Sequence, residues 1–275
     1  RQAAIDIVEY EKKPKTSILD YFNLLVIRHQ YYYNFINVSA QDGIHQIQKS
    51  IEALMAYAQV LKLRMLCEVL HLKNRLPDES SANNLISSLS YKNEEIASRQ
   101  TLPFVYSKLS QLLESNGFEQ FDEVVEIVSR HSHSIHAKEL DEVLTFMNSF
   151  LSVMNRANEV REDIRKAHQL NKIALENKIY FHNRQMRFGH YLNIVTAACK
   201  VKDFTWAAQF ATTCKELLPK TLREDTYRLS IAIAHFEKKE YKAVFQLLKG
   251  IESKEVPIQI RVKAFMLVCH FELID

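Results

Sequence analysis

Three histidines, His131, His133 and His136, lie within six residues of one another, and neutral imidazoles so close together could bind zinc or nickel. On a continuous helix, side chains two positions apart point about 200° apart, so only His133 and His136 would share a face. The nearest carboxylate on that face is Glu139, one turn beyond His136. We therefore expect a polar loop between helices, without a metal ion or any other cofactor.

A second candidate is the basic segment 156–202, where ten Lys or Arg oppose four Asp or Glu, a net charge of +6 over 47 residues. Such a segment could contact phosphates, and the aromatic residues of "IYFHNRQMRFGHY" could stack on bases. Acids alternate with bases at 159–166, however, as on the solvated face of a helix. Binding of nucleic acid or a small signal is therefore the alternative function, with these candidate residues: Arg161, Arg165, Lys166, Lys172, Arg184 and Arg187.

Motifs that place a catalytic centre are missing from the sequence. There is no Gly-rich phosphate loop, no G-x-S-x-G, no H-E-x-x-H and no paired-carboxylate motif. The tyrosine run 31–33 spreads around about 200° of a helix, which favours core or groove lining over a reactive site. Distant His, Asp and Glu residues can still meet in a folded chain, so the missing motifs favour a non-catalytic protein without excluding an enzyme.

Helices are the elements that would position all of these residues. Only 4 of the 275 residues are glycine and 5 are proline, whereas average usage would give roughly 7% glycine. Sheets joined by tight turns need glycine at positive-φ positions, so the shortage predicts an all-α chain. The net charge of +3 does not by itself indicate nucleic acid or a membrane, and we expect no membrane association because no long apolar run is present.

Four cysteines are widely spaced, and each lies inside a helical pattern: Cys67, Cys199, Cys214 and Cys269. This usage predicts reduced, core-facing thiols and a cytoplasmic protein. Because the chain begins with Arg1 rather than Met, a removed targeting segment stays an open alternative.

In the N-terminal half, the longest uninterrupted helical pattern runs from Gly43 to Pro77. Its apolar positions alternate in steps of three and four: Ile44, Ile47, Ile51, Leu54, Ala58, Leu61 and Met65. Regular heptads predict a long helix packed along another helix. Extra apolar residues such as Met55, Leu63 and Cys67 favour packing inside the chain over a homodimeric coiled coil. Further helices are predicted at about 84–99, 103–115 and 118–130 and from 137 onward.

The C-terminal third contains an internal repeat. A helix at 203–219 has apolar residues on two faces and an exposed stripe at Thr205, Gln209 and Thr212, which predicts a neighbour on each side. Residues 240–251 repeat this pattern 37 positions later, and residues 193–204 align with 230–241 at the same offset. Self-similarity at this period is typical of stacked helical hairpins.

At these positions the sequence resembles the tetratricopeptide repeat. The aromatic, aliphatic, small and closing-proline positions of that motif are occupied by Tyr191, Ile194, Ala198, Phe204, Ala207, Ala211 and Pro219. Val195 stands where glycine is usual, and the linkers are slightly longer. The resemblance covers 188–275 closely and 137–187 loosely. The same stretch looks like an uncharacterised bacterial family of repeat proteins, which supplies no activity to carry over.

The resemblance implies an α-solenoid of antiparallel helix pairs, regular from about 188 within a region 137–275 and irregular in an N-terminal region 1–136. It also implies a non-catalytic scaffold or adaptor whose concave face binds a protein or peptide. The candidate binding residues are Leu192, Thr196, Cys199, Lys200, Leu229, Ile233, Phe236 and Phe271. We expect the rings of Phe236 and Phe271 to be neighbours, and the terminal helix to be covered on one side only. Oligomeric state is left open.

Overall fold

A computed structural model describes residues 40–73, 79–89, 101–115, 119–155, 162–181 and 185–274, with the single positions 23 and 26. Within these ranges the chain forms eleven α-helices and two short 3-10 turns and contains no strand. The all-α prediction is therefore confirmed. The tyrosine run 31–33 and two residues of the predicted basic patch, Arg161 and Arg184, lie outside the described ranges.

The chain divides into two compact units, residues 1–150 and 151–275. The division predicted between residues 136 and 137 stays a prediction. Unit 1 contains α1 (Ala40–Lys73), α2 (Ser80–Leu89), α3 (Thr101–Ser115), α4 (Glu119–His131) and most of α5 (Ala137–Asn155). Helix α1 packs against α2 and α3, and α3 packs against α4. Phe150 of α5 stacks on Phe121 of α4, with 6.0 Å between the ring centroids.

Helix α1 has two apolar stripes with different surroundings. One stripe, which includes Val60, Cys67 and Leu70, is buried, and the Cys67 thiol lies 3.8 Å from the Tyr106 carbonyl oxygen of α3. The regular heptad positions of the first half of α1 are instead exposed: Ile44, Ile47, Ile51 and Leu54. Of the additional apolar residues noted in the sequence, Cys67 is buried against α3, whereas Met55 is exposed like the heptad positions.

Unit 2 contains the repeated segment. Its helices are α6 (Glu162–Glu176), α7 (Phe188–Lys200), α8 (Phe204–Cys214), α9 (Arg223–Glu237), α10 (Tyr241–Lys249) and α11 (Val256–Ile274). Helix α7 packs against α6, α8 and α9, while α9 packs against α8, α10 and α11. Short connections join α7 to α8 and α9 to α10, so each of these pairs is a helical hairpin.

Helix α8 is the element with two apolar faces. Ala207, Phe210 and Ala211 are buried, and Thr205 and Gln209 are exposed. The helix packs against both α7 and α9, which confirms the predicted neighbour on each side. A helix that is buried against two partners needs apolar side chains on two faces, which explains the unusual composition of α8.

The turns of the two hairpins share one backbone geometry, 37 residues apart. Lys202 and Lys239 both have positive φ, 65° and 62°. The Asp203 amide N–H donates to the Ala198 carbonyl oxygen, and the Glu240 N–H donates to the His235 carbonyl oxygen, each at 2.9 Å. This arrangement is a Schellman motif, in which a left-handed residue ends the helix and the following N–H satisfies a free carbonyl.

Helix α11 is buried along one face only. Ile258, Val262 and Cys269 are buried, whereas Leu267 and Phe271 are 72% and 71% exposed. This distribution agrees with the expectation that the terminal helix is covered on one side. No helix among the described residues is both long and apolar enough to cross a membrane.

Candidate functional site

A cleft of about 550 Å³ lies in unit 2 beside the first hairpin turn. Its lining comes from the start of α6, the end of α7, the turn that follows and the end of α9: Ile164, Arg165, Cys199, Lys200, Val201, Lys202 and Glu237. The volume falls within the range of ordinary ligand pockets. The end of α7 and the turn together supply four consecutive residues of this lining, 199–202, which is more than half of it.

The first hairpin turn is attached to α6 through Asp203. His168 Nε2 lies 3.0 Å from Asp203 Oδ2, and Lys172 Nζ lies 2.6 Å from the same oxygen. The other carboxylate oxygen accepts a hydrogen bond from the Trp206 backbone N–H at 3.3 Å, so Asp203 also caps α8. One side chain therefore begins a helix and holds a neighbouring helix against the turn.

The titration of this cluster follows from its contacts. Hydrogen bonds from His168 and Lys172 lower the pKa of the Asp203 carboxyl to about 2. Burial lowers the pKa of His168, which leaves the imidazole neutral at pH 7. A carboxylate can only accept hydrogen bonds, so Nε2 of the neutral ring must carry the hydrogen. Nδ1 is then an unprotonated, buried atom without a hydrogen-bond partner in the described residues.

Positive charge predominates around the cleft. Arg165, Lys200 and Lys202 bring three positive charges, and Glu237 brings one negative charge. Lys200 and Lys202 are exposed. Ile164 and Val201 add an apolar part to the lining, so the cleft combines a cationic edge with an aliphatic wall.

The Cys199 thiol is an unreactive part of the apolar wall of the cleft. Burial, and to a smaller extent the nearby Glu237 carboxylate, raises the pKa of Cys199 to about 12. A thiol is nucleophilic only as the thiolate, so Cys199 is unreactive at neutral pH. The four cysteines are buried and unpaired, as the sequence predicts for core-facing thiols.

The predicted basic patch is divided among different environments. Arg165 lines the cleft, Lys166 is buried and Lys172 pairs with Asp203. Arg187 is exposed at the start of α7. The four described members therefore do not form a continuous exposed basic row.

The predicted groove residues are divided in a similar way. Leu192, Cys199, Leu229 and Ile233 are buried in the core of unit 2. Thr196 is half-buried and donates to the Leu192 carbonyl oxygen, and Lys200 is exposed at the cleft. The cleft is thus lined by one residue of the predicted basic patch, Arg165, and by two of the predicted groove residues, Cys199 and Lys200. The other predicted groove residues are not part of its lining.

Phe236 contacts a different residue of the terminal helix from the one expected. Its ring centroid lies 4.7 Å from that of Phe265 and 5.8 Å from that of Tyr241. Phe271, its equivalent in the repeat, is largely exposed. The repeat alignment matches these two phenylalanines in sequence, but the packing of α9 against α11 selects Phe265.

The histidine cluster lies at the end of α4 and in the loop before α5. His133 is exposed, whereas His131 and His136 are half-buried. His136 Nδ1 accepts a hydrogen bond from the Lys138 backbone N–H at 3.3 Å. Nowhere in the described residues do three potential metal ligands from His, Cys, Asp or Glu come together.

His168 and Asp203 form a histidine–carboxylate pair at the turn that borders the cleft. In nucleophilic catalysis, the second ring nitrogen of such a histidine activates a Ser or Cys. Nδ1 of His168 has no hydrogen-bond partner among the described residues, and the rings of His168 and Trp206 form a T-shaped pair with 4.7 Å between their centroids. We assign the pair a structural role, which is to fix the turn that borders the cleft.

Sequence reasoning did not single out Ile164, His168, Asp203 or Glu237 as a group. Two local signals were present. Asp203 directly precedes the helix pattern beginning at Phe204, as an N-cap does, and Ile164, His168 and Lys172 recur every four residues on α6. Neither signal shows which helix packs against which turn.

Comparisons of the chain with models of protein families, with curated proteins and with solved structures found no match.

Proposed function

We propose that the chain is a non-catalytic scaffold that binds a peptide segment of a partner protein, and that residues 188–274 form a tetratricopeptide-like array. The cleft beside the first hairpin turn carries the proposal, because it combines exposed cations with an apolar wall on a repeated framework. A cleft of this composition suits side chains of both kinds, as a peptide would supply them.

The packing order of the helices supports the array. Helix α7 contacts α8 and also α9, and α9 contacts α10 and also α11. Contacts between elements one and two positions apart are what stacked hairpins require. The matched Schellman turns add support, since equal sequence spacing is accompanied by equal backbone geometry at Lys202 and Lys239.

The cleft residues support binding rather than catalysis. The Cys199 thiol is protonated because of its raised pKa, and Asp203 is occupied by His168, Lys172 and the α8 N-terminus. The exposed groups, Lys200 and Lys202, are cations that can pair with anions. Such groups provide attraction and orientation for a partner.

Selection of displayed random peptides on the full chain tests this function. Fluorescence anisotropy then gives the affinity of a selected peptide for the unchanged chain and for two variants. We expect Lys200→Glu, at the cleft, to weaken binding by about tenfold. Lys242→Glu makes the same charge change at an exposed position of α10, outside the cleft lining, and should leave the affinity within about twofold.

Three outcomes would contradict the proposal. Selection could yield no peptide that binds saturably, or the two variants could weaken binding equally. A single-stranded oligonucleotide could also bind more tightly than every selected peptide, and that result would favour the basic-segment alternative. Far-UV circular dichroism of each variant shows whether the helices are retained.

A further inference from the structure

We propose that the ligand of the cleft is an acidic peptide segment whose carboxylates pair with Lys200 and Lys202 while a neighbouring aliphatic side chain packs on Ile164 and Val201. This inference rests on the proposed function, because it identifies the chemistry of the partner at the same cleft. Charge is the first argument for it. The lining holds three cations and one carboxylate, so an anionic ligand is favoured over a neutral or cationic one.

The repeat explains how positive and negative charges are distributed along the wall of the cleft. Lys200 and Glu237 occupy equivalent positions, 37 residues apart, at the ends of α7 and α9. Both line the cleft. Two of its three cations therefore come from α7 and the following turn, Arg165 is supplied by α6, and the carboxylate is supplied by α9. A peptide can match this asymmetry, with carboxylates toward the lysines and a backbone N–H or a basic side chain toward Glu237. A ligand with a negative charge on every unit would meet repulsion from Glu237, whereas a peptide with alternating neutral residues can place a neutral residue beside that carboxylate.

A nucleic acid fits the described residues less well than a peptide. A nucleic-acid strand presents a phosphate at every nucleotide and needs a row of cations along the protein surface. Lys166 is buried, and the Lys172 ammonium is neutralised by Asp203 at 2.6 Å. The three cations of the cleft are therefore suited to a short cluster of carboxylates.

The Asp203 cluster makes the cleft a preformed site. His168 and Lys172 of α6 hold the carboxylate that begins α8, so α6 and the turn stay in register. Arg165, Lys200 and Lys202 are consequently held around one space before a ligand arrives. Preformed geometry reduces the entropy cost of binding, which matters for exposed lysines with flexible side chains.

The second hairpin turn offers a matched control. Lys202 and Lys239 are both exposed, both have positive φ and both occupy the same position of a Schellman turn. Lys202 lines the cleft, whereas Lys239 is outside its lining. Replacing either lysine by glutamate changes the net charge equally and places the same side chain in the same backbone conformation.

The test uses the full chain and two blocked, fluorescein-labelled peptides of equal length, one of alternating Glu and Leu and one of alternating Gln and Leu. We expect the Glu–Leu peptide to bind at least about tenfold more tightly than the Gln–Leu peptide. Lys202→Glu should weaken binding of the Glu–Leu peptide by about tenfold. Lys239→Glu should change the affinity by less than about twofold. Higher salt should weaken the Glu peptide more than the Gln peptide.

Several results would overturn the inference. Equal binding of the two peptides would show that carboxylates are not recognised, and equal losses in both variants would show a general charge effect. Tighter binding of an oligonucleotide would assign the cleft to nucleic acid. If library-selected peptides bind without acidic residues and tolerate Lys202→Glu, the inference fails while the scaffold function stands. Lys202→Gln, which keeps a similar side-chain length, separates a binding defect from misfolding of the glutamate variant.

Discussion

The α7–α8 and α9–α10 hairpins turn through equivalent backbone hydrogen bonds, 37 residues apart, yet their turns are held differently. In the first hairpin, Asp203 reaches outward to His168 and Lys172 of α6. In the second, Glu240 takes the same position, pairs with His235 of its own hairpin and provides no side-chain cap for α10. One side chain thus decides whether a repeated turn is joined to another helix and borders a cleft.

The hairpin cores differ at equivalent positions as well. Phe210 is fully buried and lies among the rings of Trp206, Tyr191 and Tyr180, at centroid distances of 5.3, 5.5 and 5.7 Å. Its counterpart Leu247 is half-buried. At these equivalent positions the first hairpin therefore has a fully buried aromatic residue and the second a half-buried aliphatic one, and the two positions should contribute unequally to stability.

The largest expected effect compares these two core positions. Phe210→Ala removes a fully buried ring and should lower the free energy of unfolding of unit 2 by about 3–5 kcal/mol. Leu247→Ala removes a smaller, half-buried group and should cost about 1–2 kcal/mol. Urea denaturation of the full chain measures both, with the fluorescence of Trp206, the one tryptophan of the 275 residues, as a probe of unit 2. Equal losses would contradict the idea that the first hairpin has the stronger core.

Much of this hairpin architecture could be predicted from sequence because it depends on local periodicity. The exposed stripe Thr205, Gln209 and Thr212 specifies two buried faces of α8, and the 37-residue offset specifies a second hairpin. The low glycine count likewise predicts an all-helical chain. Each of these features arises from residues close in the chain, where helical spacing limits the alternatives.

The cleft could not be predicted, because it depends on which helix packs against the first turn. His168 and Asp203 are 35 residues apart, and neither residue type indicates its partner. The predicted binding groove could not be distinguished from a core for a similar reason. Leu192 and Leu229 are buried, and an apolar stripe that faces a core has the same composition as one that faces an open groove. Only tertiary packing separates the two cases.

The second expected effect concerns the two turn carboxylates. Asp203→Ala removes a helix cap and a partly buried ion pair and should cost about 2 kcal/mol. Glu240→Ala removes an exposed pair without a cap and should cost less than about 1 kcal/mol. The Asp203 pKa is lowered to about 2 from a usual 3.8, so its contribution is complete above pH 4 and declines as pH falls toward 2.

Denaturation at several pH values checks this assignment. The difference in unfolding free energy between the unchanged chain and Asp203→Ala should shrink as the pH is lowered from 4 to 2. In this interval the unfolded carboxyl binds a proton, whereas the folded carboxylate, with a pKa of about 2, stays ionised until the pH reaches that value. A difference that stays constant through this interval would show that the carboxylate charge contributes nothing. Equal costs for Asp203→Ala and Glu240→Ala would remove the distinction between the two turns.

The smallest expected effect should be the same in both hairpins and should separate stability from binding. Lys202 and Lys239 adopt positive φ, a conformation that costs a residue with a Cβ about 1–2 kcal/mol, whereas glycine loses about 0.5–1 kcal/mol of additional chain entropy on folding. Lys202→Gly and Lys239→Gly should therefore each raise the unfolding free energy by about 0.5–1 kcal/mol. Gln246→Gly, at an exposed position within α10, is the control and should lower the unfolding free energy by a similar amount.

Binding should distinguish the two glycine variants. Lys202→Gly alone should also weaken binding of the Glu–Leu peptide, because only Lys202 of the two lines the cleft. If Lys239→Gly weakened binding of that peptide equally, the binding surface would include both turns. The two hairpins would then not differ in function at the cleft.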